Sequence, residues 1–276
     1  ITKQYKDFTL GPVDMTVPAG SIVGLIGENG AGKTTLLKIL CGVNRADDGT
    51  VDLLGGSPAD AATRAKIGVV FEDAFFYGSF TAAQVARSLA GMYGARWNAD
   101  SFSAYLRRFG LDAGKKLKEY SRGMRLKLSL AAALAHDPEL LVLDEATAGL
   151  DPVVRGELLD LFLEFIQDER HSIVMSSHIT ADLEQIADSI AYLHNGQLLF
   201  QENKDDLLQE YGVLHCGEDV LTSLPAGLVV FTRRGAYGCE SLVRERRTVQ
   251  ELLPETVCDA ARLDDIMRFY SGRDAQ

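Results

Sequence analysis

The chain has 276 residues, 46% of them hydrophobic, which is enough to bury the core of one large domain, alone or with a small appendage. Its formal net charge of -11 argues against a general nucleic-acid binder, because neutralising phosphates requires clustered lysine and arginine. The longest apolar stretch, at 128–135, is far too short to cross a bilayer, so we expect a soluble chain.

The cysteines lie far apart, without CxxC spacing or a histidine at the spacing of a metal site, so we expect free thiols in a reducing compartment. They are Cys41, Cys216, Cys239 and Cys258. No basic and then apolar leader precedes the first predicted strand, which argues against secretion. Because the first residue is Ile1 rather than methionine, we expect the native start to lie upstream.

The first predicted α/β unit surrounds a glycine-rich loop. The apolar run at 21–26 predicts a strand, and the spacing of leucines after Lys33 predicts a helix. Between them, residues 27–34 (Gly-Glu-Asn-Gly-Ala-Gly-Lys-Thr) fit the phosphate-loop pattern, in which backbone N–H groups and a helix N-terminus hold anionic oxygens. Lys33 is then expected to reach the β- and γ-phosphates, and Thr34 to offer its hydroxyl to magnesium.

Further short apolar runs predict buried strands separated by helical stretches. They lie at 67–71, 140–144 and 172–177. This alternation predicts an α/β fold with a mostly parallel sheet. The alternation stops over about 79–136, where successive segments have helical spacing with no strand between them, so we expect a helical insertion within the core.

An acidic pair, Asp144 and Glu145, stands at the C-terminal end of a predicted buried strand, where ligands of open α/β sheets gather. Adjacent carboxylates are costly unless a cation offsets them, so Asp144 is a candidate magnesium ligand, directly or through water. Glu145 is a candidate for orienting or deprotonating an attacking water. The alternative is a solvated acidic pair, against which the phosphate loop argues.

His178 ends the apolar run at 172–177. A lone histidine is more often structural than catalytic. Its strand is expected to lie next to the strand of Asp144, however, and this would allow a contact with the γ-phosphate.

The rest of the chain predicts one long helix, a hairpin and a small tail. An aspartate followed by proline predicts a helix over 151–169. Asn195 and Gly196 predict a tight β-hairpin turn. From about residue 212 strand-like pieces alternate with turns and end in a helical segment at 262–270, which predicts a small α/β appendage.

These elements, in this order, resemble the ATP-binding subunit of an ABC transporter. The deciding motif is Tyr-Ser-Arg-Gly-Met at 120–124, followed by a helix and the acidic strand at the interval the family shows between its signature loop and its Walker B strand. Ser121 and Gly123 match the serine and second glycine of the family's LSGGQ pattern, whereas the arginine between them and the methionine after them depart from it. The resemblance covers about residues 2–210 and implies a P-loop NTPase fold that binds ATP and Mg2+.

The resemblance also assigns roles to individual residues. Asp151 corresponds to the aspartate of the D-loop, His178 to the switch histidine, and Tyr5 to the aromatic residue that stacks on adenine, with Phe8 as a rival. The residues expected to be catalytic are Glu145, His178 and Lys33. Those expected to touch ATP are Tyr5, Asn29, Gly30, Ala31, Gly32, Lys33, Thr34, Thr35, Ser121, Gly123 and Asp151. Those expected to hold the metal are Thr34, Asp144 and Glu72.

Glu72, followed by Asp73, stands where the family usually has a glutamine that binds magnesium and senses the membrane partner. A carboxylate can also bind magnesium, but it adds negative charge near ATP. The alternative is a solvated strand-end acid. Together with the motif at 120–124 and the short tail, this acid resembles a branch of ABC-2-type exporters, some of which export amphipathic peptides such as phenol-soluble modulins, or bacteriocins.

The resemblance implies that two copies of the chain face each other head to tail. Each ATP would lie between Lys33 and Thr34 of one copy and Ser121 and Gly123 of the other, and hydrolysis would separate the copies. Work on a membrane would require a separate permease subunit, docked beside Glu72 and the helical insertion at the cytoplasmic face of the membrane. We expect no nucleic-acid partner.

Two other functions remain open. The first is a soluble ABC-type ATPase that acts on ribosomes or DNA; the single cassette, the absence of sustained heptads and the acidic charge argue against it. The second is a regulatory module that binds ATP without hydrolysing it, suggested by Glu72 and the altered signature loop. The intact set of Lys33, Asp144, Glu145 and His178 argues against this second possibility.

Overall fold

The computed structural model describes residues 1–72, 76–225, 227–235 and 238–272, in which strands and helices alternate. The strands are β1 Lys3–Gln4, β2 Thr9–Leu10, β3 Ile22–Ile26, β4 Ile67–Val70, β5 Leu140–Asp144, β6 Ser172–Ser176, β7 Ser189–His194, β8 Gln197–Asn203, β9 Gly212–Cys216, β10 Val229–Gly235, β11 Gly238–Val243 and β12 Val257–Ala260. The helices are α1 Lys33–Leu40, α2 Ala61–Arg64, α3 Ala82–Tyr93, α4 Ala99–Arg108, α5 Arg122–Leu134, α6 Pro152–Phe165, α7 Thr180–Ile186, α8 Lys204–Glu210, α9 Glu218–Ser223, α10 Arg246–Leu252 and α11 Leu263–Ser271.

The central sheet has six strands in the order β4-β5-β6-β3-β7-β8. All neighbours are parallel except β7 and β8, which form an antiparallel hairpin. The four strands predicted from apolar runs are β3, β4, β5 and β6, and the prediction of a mostly parallel sheet in an α/β core is confirmed. The predicted adjacency of β5 and β6 is also confirmed, with Asp144 opposite Ser176.

Helices cover both faces of this sheet, which explains why its strands are continuous apolar runs rather than alternating ones. Along β5, Leu141 and Leu143 point to one face and pack in the same cluster as Phe162 of α6. Val142 points to the other face and packs in the same cluster as Leu37 of α1. This two-sided burial fixes where β5 ends, and therefore where Asp144 and Glu145 lie.

The segment 76–136 is helical, as its periodicity predicts, and its described residues contain no strand. Thr81 and Gln84 form a reciprocal capping box at the start of α3. Helix α5 buries Leu130 against the core sheet and Leu128 against α3 and α4. Because α5 belongs to both packing clusters, it fixes the position of Ser121, at its N-terminus, relative to the sheet.

Residues after 211 form a four-stranded antiparallel sheet in the order β10-β11-β9-β12, followed by α11. The predicted final helix at 262–270 is observed as Leu263–Ser271. Its residues Ile266 and Phe269 are buried in the same apolar cluster as Tyr192 of β7. The tail therefore packs directly on the antiparallel edge of the central sheet. No helix in the described ranges is both long and apolar enough to span a membrane.

Candidate active site

The candidate site lies where β3, β5 and β6 end at the same edge of the central sheet. Parallel strands have their C-terminal ends together, so the loops that follow them meet. After β3 comes the phosphate loop (residues 27–34), after β5 comes Glu145, and after β6 comes His178. The phosphate loop is thereby brought together with two segments that lie more than a hundred residues further along the chain.

The phosphate loop has the backbone shape that its glycines predict. Gly27, Gly30 and Gly32 have φ of 153, 86 and 106°, a region that favours glycine. A Cβ at Gly30 would meet no atom within 4 Å, so the loop faces open space. Helix α1 begins at Lys33, and Gly32 has no side chain to cap its first N–H groups, which leaves this helix end suited to an anion.

The Lys33 side chain is 7% exposed and lies along the inside of the phosphate loop. Its Nζ donates to the carbonyl oxygens of Gly27 and Glu28 over 2.7 and 3.2 Å and lies 3.9 Å from Oε1 of Glu145. The ammonium group is thus held between the loop and the predicted catalytic carboxylate. A bound triphosphate would give the ammonium group further anionic partners in addition to Glu145, since the two carbonyl groups carry no net charge.

Asp144, which is 3% exposed, accepts hydrogen bonds from two hydroxyl groups. Thr34 Oγ1 donates to its Oδ2 over 2.8 Å, and Ser176 Oγ donates to its Oδ1 over 2.7 Å. The two predicted metal ligands Thr34 and Asp144 are therefore in direct contact. Ser176 was not predicted from the sequence; its only signal is a hydroxyl side chain at the end of a buried strand.

Glu145 leaves β5 through a left-handed backbone conformation with φ of 52°, which is strained for a residue with a side chain. Its N–H donates to Ser176 O over 3.1 Å, which holds the turn in place. Its carboxylate accepts a hydrogen bond from the backbone N–H of His178 over 3.2 Å and lies 2.5 Å from Nδ1 of that ring. The predicted catalytic residues Glu145 and His178 are therefore in contact, and the His178 ring is half exposed.

These residues fit a Mg2+-nucleotide. Among the described residues, no three His, Cys, Asp or Glu side chains are placed to hold a metal on their own. Magnesium bound with nucleotide uses one or two protein ligands and completes its shell with phosphates and water. Thr34 and Asp144 supply such a partial set next to a loop shaped for phosphate.

Ser121 and Gly123 lie elsewhere in the chain's own fold. Ser121 is the exposed N-cap of α5, where its Oγ accepts from Met124 N over 3.2 Å. Within the described part of the chain, no hydrogen bond joins either residue to the phosphate loop. A Cβ at Gly123 would lie 3.5 Å from Leu150, so this loop packs beside the segment that follows Glu145.

Two further predicted site residues, Glu72 and Asp151, have definite surroundings. Glu72 pairs with Arg122, with 2.8 Å between Oε1 and Nη2; Asp73 after it lies outside the described residues. Asp151 caps α6 by accepting from the N–H groups of Val153 and Val154, both over 3.1 Å. The helix it starts ends at Phe165, which is earlier than the predicted 169.

The two aromatic candidates for adenine stacking differ in exposure. Tyr5 is 44% exposed, and its hydroxyl accepts a hydrogen bond from Asn44 over 3.3 Å. The Phe8 ring is half-buried, and a Cβ at Gly32 would lie 2.9 Å from it. Phe8 thus packs under the phosphate loop, while the more exposed Tyr5 ring has Lys3 Nζ 5.8 Å from its centroid.

Two further contacts that the sequence does not indicate join the phosphate loop to the end of β7 and the turn that follows it. His194 Nδ1, at the end of β7, lies 3.0 Å from Oε2 of Glu28. Gly196 N donates to Ala31 O over 3.0 Å. The residues in these pairs are more than 160 positions apart, and no local pattern indicates that they meet.

The nearby cysteine does not take part in the chemistry. Burial, and then the charge of Asp144, raises the pKa of the Cys41 thiol to about 12. The thiol therefore stays protonated and behaves as an apolar core side chain. Cys41, Cys216, Cys239 and Cys258 are all free, as the sequence predicts.

Known proteins are similar to this chain in sequence and in fold. Residues 10–148 match the ABC transporter family. An uncharacterized ABC transporter ATP-binding protein of Synechocystis sp. is 39% identical over 197 residues, which are 69% of this chain and 55% of that protein. The bacitracin transport ATP-binding protein BcrA of Enterococcus faecalis is 36% identical over 212 residues, which are 75% of this chain and 68% of that protein. The chain thus spans little more than half the length of the first relative.

A solved structure of the ATP-binding subunit of an ABC transporter has the same fold, with a TM-score of 0.66 and 29% identity, over 75% of this chain and 88% of that chain. The match to the family spans the phosphate loop and the acidic pair, and it extends over half of the sequence. The chain therefore belongs to the ABC transporter family, as an ATP-binding subunit with an ABC ATPase domain.

Proposed function

We propose that this chain hydrolyses ATP to drive export by a separate membrane permease subunit. The observation that carries the proposal is the cluster at the sheet edge: Nζ of Lys33 lies 3.9 Å from Glu145, and Thr34 donates to Asp144 over 2.8 Å. The cluster supports the proposal, because Lys33 is suited to bind phosphate, Thr34 and Asp144 to hold a metal, and Glu145 to act as a base. Each group matches a requirement of phosphoryl transfer to water.

In the proposed reaction, water attacks the γ-phosphorus, the bond from phosphorus to the bridging oxygen of ADP breaks, and Glu145 orients the water and accepts its proton. Lys33 and the N–H groups of the phosphate loop hold the phosphate oxygens. His178 holds the carboxylate of Glu145 and steadies the γ-phosphate. Magnesium held by Thr34 and Asp144, with Glu72 as a further candidate ligand, would supply positive charge that offsets the charge developing on the leaving group.

We further propose that two copies act head to tail. Ser121 is exposed on the N-terminus of α5, with no hydrogen bond to the phosphate loop of its own chain in the described residues. A second copy could bring its Ser121 and Gly123 onto the γ-phosphate held by the first. Asn29, Gly30, Ala31, Gly32 and Thr35 would contact the phosphates, Asp151 would lie at the interface between copies, and Tyr5 would stack on adenine.

The division of the chain into domains is also a proposal. We assign residues 1–211 to the nucleotide-binding domain, with a helical subdomain at about 79–136, and residues 212–276 to a small appendage. The change from a parallel to an antiparallel sheet supports this boundary. The permease would dock beside Glu72 and the helical insertion, at the cytoplasmic face of the membrane. Amphipathic peptides are the proposed cargo, and the Enterococcus relative named for bacitracin transport supports this class.

The test is ATP hydrolysis by the purified chain, alone and with its permease in liposomes. We expect slow turnover alone and strong stimulation by the permease. In the Glu145→Gln variant we expect turnover to fall by about 10²–10⁴-fold while ATP binding persists, so that an ATP-bound dimer accumulates on size-exclusion chromatography. Normal hydrolysis by Glu145→Gln would remove this residue from its role, and stimulation by ribosomes instead of permease would replace transport with a soluble function.

A further inference from the structure

Two of the residues at which this chain departs from its family's pattern are partners. Glu72 replaces a glutamine, and Arg122 replaces the first glycine of the signature loop. Nη2 of Arg122 lies 2.8 Å from Oε1 of Glu72, and their side chains are 48% and 44% exposed. The pair joins the end of β4 to the start of α5, which are 50 residues apart.

Glu72 belongs to the acidic edge of the site. Val70, the last residue of β4, is opposite Leu143 of β5, and Glu72 follows it by two positions, at the same strand-end edge as Asp144 and Glu145. Glu72, Asp144 and Glu145 therefore all lie at the ends of neighbouring strands, at the edge where a triphosphate would bind. Carboxylates at this edge repel an incoming triphosphate. The guanidinium group of Arg122 pairs with Glu72, which follows the edge strand β4.

Arg122 also contacts the loop that follows Glu145. A Cβ built on Gly149 would lie 3.2 Å from Nη1 of Arg122, so the guanidinium group rests on a residue without a side chain. Gly149 has φ of 69°, which favours glycine independently. Arg122 therefore spans three segments: the end of β4, the start of α5 next to Ser121, and the loop between Glu145 and Asp151.

We propose that Arg122 is a positioning residue for nucleotide binding. It neutralises Glu72, which offsets the carboxylate's repulsion of the triphosphate, and it fixes the Ser121 loop relative to the Gly149 loop. This inference rests on the proposed function, because it concerns the same site. If the proposal is right, the effect of Arg122 on nucleotide affinity depends on the charge of Glu72. Without that charge the neutralising role is lost, and only the contact with the Gly149 loop remains.

The test is a double-mutant cycle read by isothermal titration with Mg-ATP on the full chain, using wild type, Arg122→Gln, Glu72→Gln and the double variant. We expect Arg122→Gln to raise the Kd by about two- to fivefold, the range for an exposed ion pair. In the Glu72→Gln background the same change should raise the Kd by a smaller factor. Arg122→Lys should recover part of the loss, since it keeps the charge without the planar fork.

A matched control is the pair of Arg108 and Glu164, which is also exposed, joins the helical insertion to the core, and has 2.7 Å between Nη2 and Oε2. Arg108→Gln should leave the Kd unchanged. Raising the salt concentration should shrink the difference between wild type and Arg122→Gln, because salt screens exposed charges. In steady-state ATPase assays, Arg122→Gln should raise KM more than it lowers kcat.

The inference fails if Arg122→Gln has the same effect in both backgrounds, or an effect no larger than that of Arg108→Gln. Either result, with a wild type that binds and hydrolyses Mg-ATP, overturns the role of Arg122 and leaves the proposed function intact. A correctly folded wild type that binds no Mg-ATP overturns both. Circular dichroism of each variant distinguishes loss of binding from loss of folding.

Discussion

The hydroxyl of Ser176 donates a hydrogen bond to Oδ1 of Asp144 over 2.7 Å, on the side of the carboxylate opposite Thr34. Both residues are buried at neighbouring positions of β5 and β6. The bond fixes the orientation of the carboxylate before any ligand arrives. Ser176 thus determines how Asp144 presents its second oxygen to Thr34 and to a metal.

Ser176→Ala should weaken magnesium binding. Loss of a partner that orients a metal ligand lowers affinity by about 10- to 100-fold, so the magnesium concentration for half-maximal ATPase activity should rise by at least about tenfold. Ser129→Ala is the matched control, because Ser129 is equally a buried serine but its hydroxyl has no partner among the described residues. An unchanged magnesium requirement in Ser176→Ala would contradict the role of this bond.

His178→Ala should lower kcat with little change in KM. The variant keeps the backbone N–H that bonds Glu145 over 3.2 Å but loses the ring contact at 2.5 Å. We expect kcat to fall by about 10²-fold, the lower end for a group that assists proton transfer. His215→Ala, which changes a half-exposed histidine of the tail, should have wild-type kinetics. A rise in KM alone would instead assign His178 to substrate binding.

Gly196→Ala should destabilise the protein more than Gly55→Ala. Both glycines are left-handed, with φ of 80 and 74°, so both substitutions carry a strain of about 1–2 kcal/mol. A Cβ at Gly196 would also collide with the carbonyl of Thr9, whereas one at Gly55 would meet nothing within 4 Å. We expect an additional loss of about 1–3 kcal/mol in the free energy of unfolding for Gly196→Ala, measured by urea denaturation. Equal losses would contradict the close packing of this turn.

His136 should make stability depend on pH. Burial lowers the pKa of His136 below 6.5, and its Nε2 lies 3.1 Å from Ile67 O. As the pH falls through the unfolded value of about 6.5, unfolded chains take up a proton that the folded protein binds less readily, so the free energy of unfolding decreases. His136→Gln should flatten this decrease in urea titrations between about pH 7 and pH 5. An unchanged slope, equal to that of His215→Gln, would show that His136 is not responsible.

Much of the core could be predicted because its signals are local. The strands at 67–71 and 140–144 are apolar runs covered on both faces, and Asn195 and Gly196 have the positive φ values, 47 and 80°, that their hairpin turn requires. The sequence does not indicate β12, because it is a short edge strand in which only Cys258 is buried. Its pattern is weak, since half of its neighbours are solvent.

In the candidate site, too, the residues that belong to a local motif could be predicted from the sequence. Lys33 and Thr34 could be identified because the phosphate loop carries its chemistry within eight residues. Ser176 and His194 could not, because serine and histidine at strand ends are common and their partners are remote in sequence. The final helix was predicted from its spacing, but the sequence does not indicate that Phe269 packs near Tyr192.

The turn at Asn195 and Gly196 has a consequence for how the nucleotide site forms. The Gly196 amide donates a hydrogen bond to the Ala31 carbonyl, and a side chain on Gly27 would collide with the carbonyl of Leu193. The hairpin therefore packs directly against the phosphate loop and supports its shape. A fragment that ends before β7 would contain the whole phosphate-loop motif but would lack the hairpin that supports it. Affinity for phosphate should therefore require the hairpin of β7 and β8 to be in place.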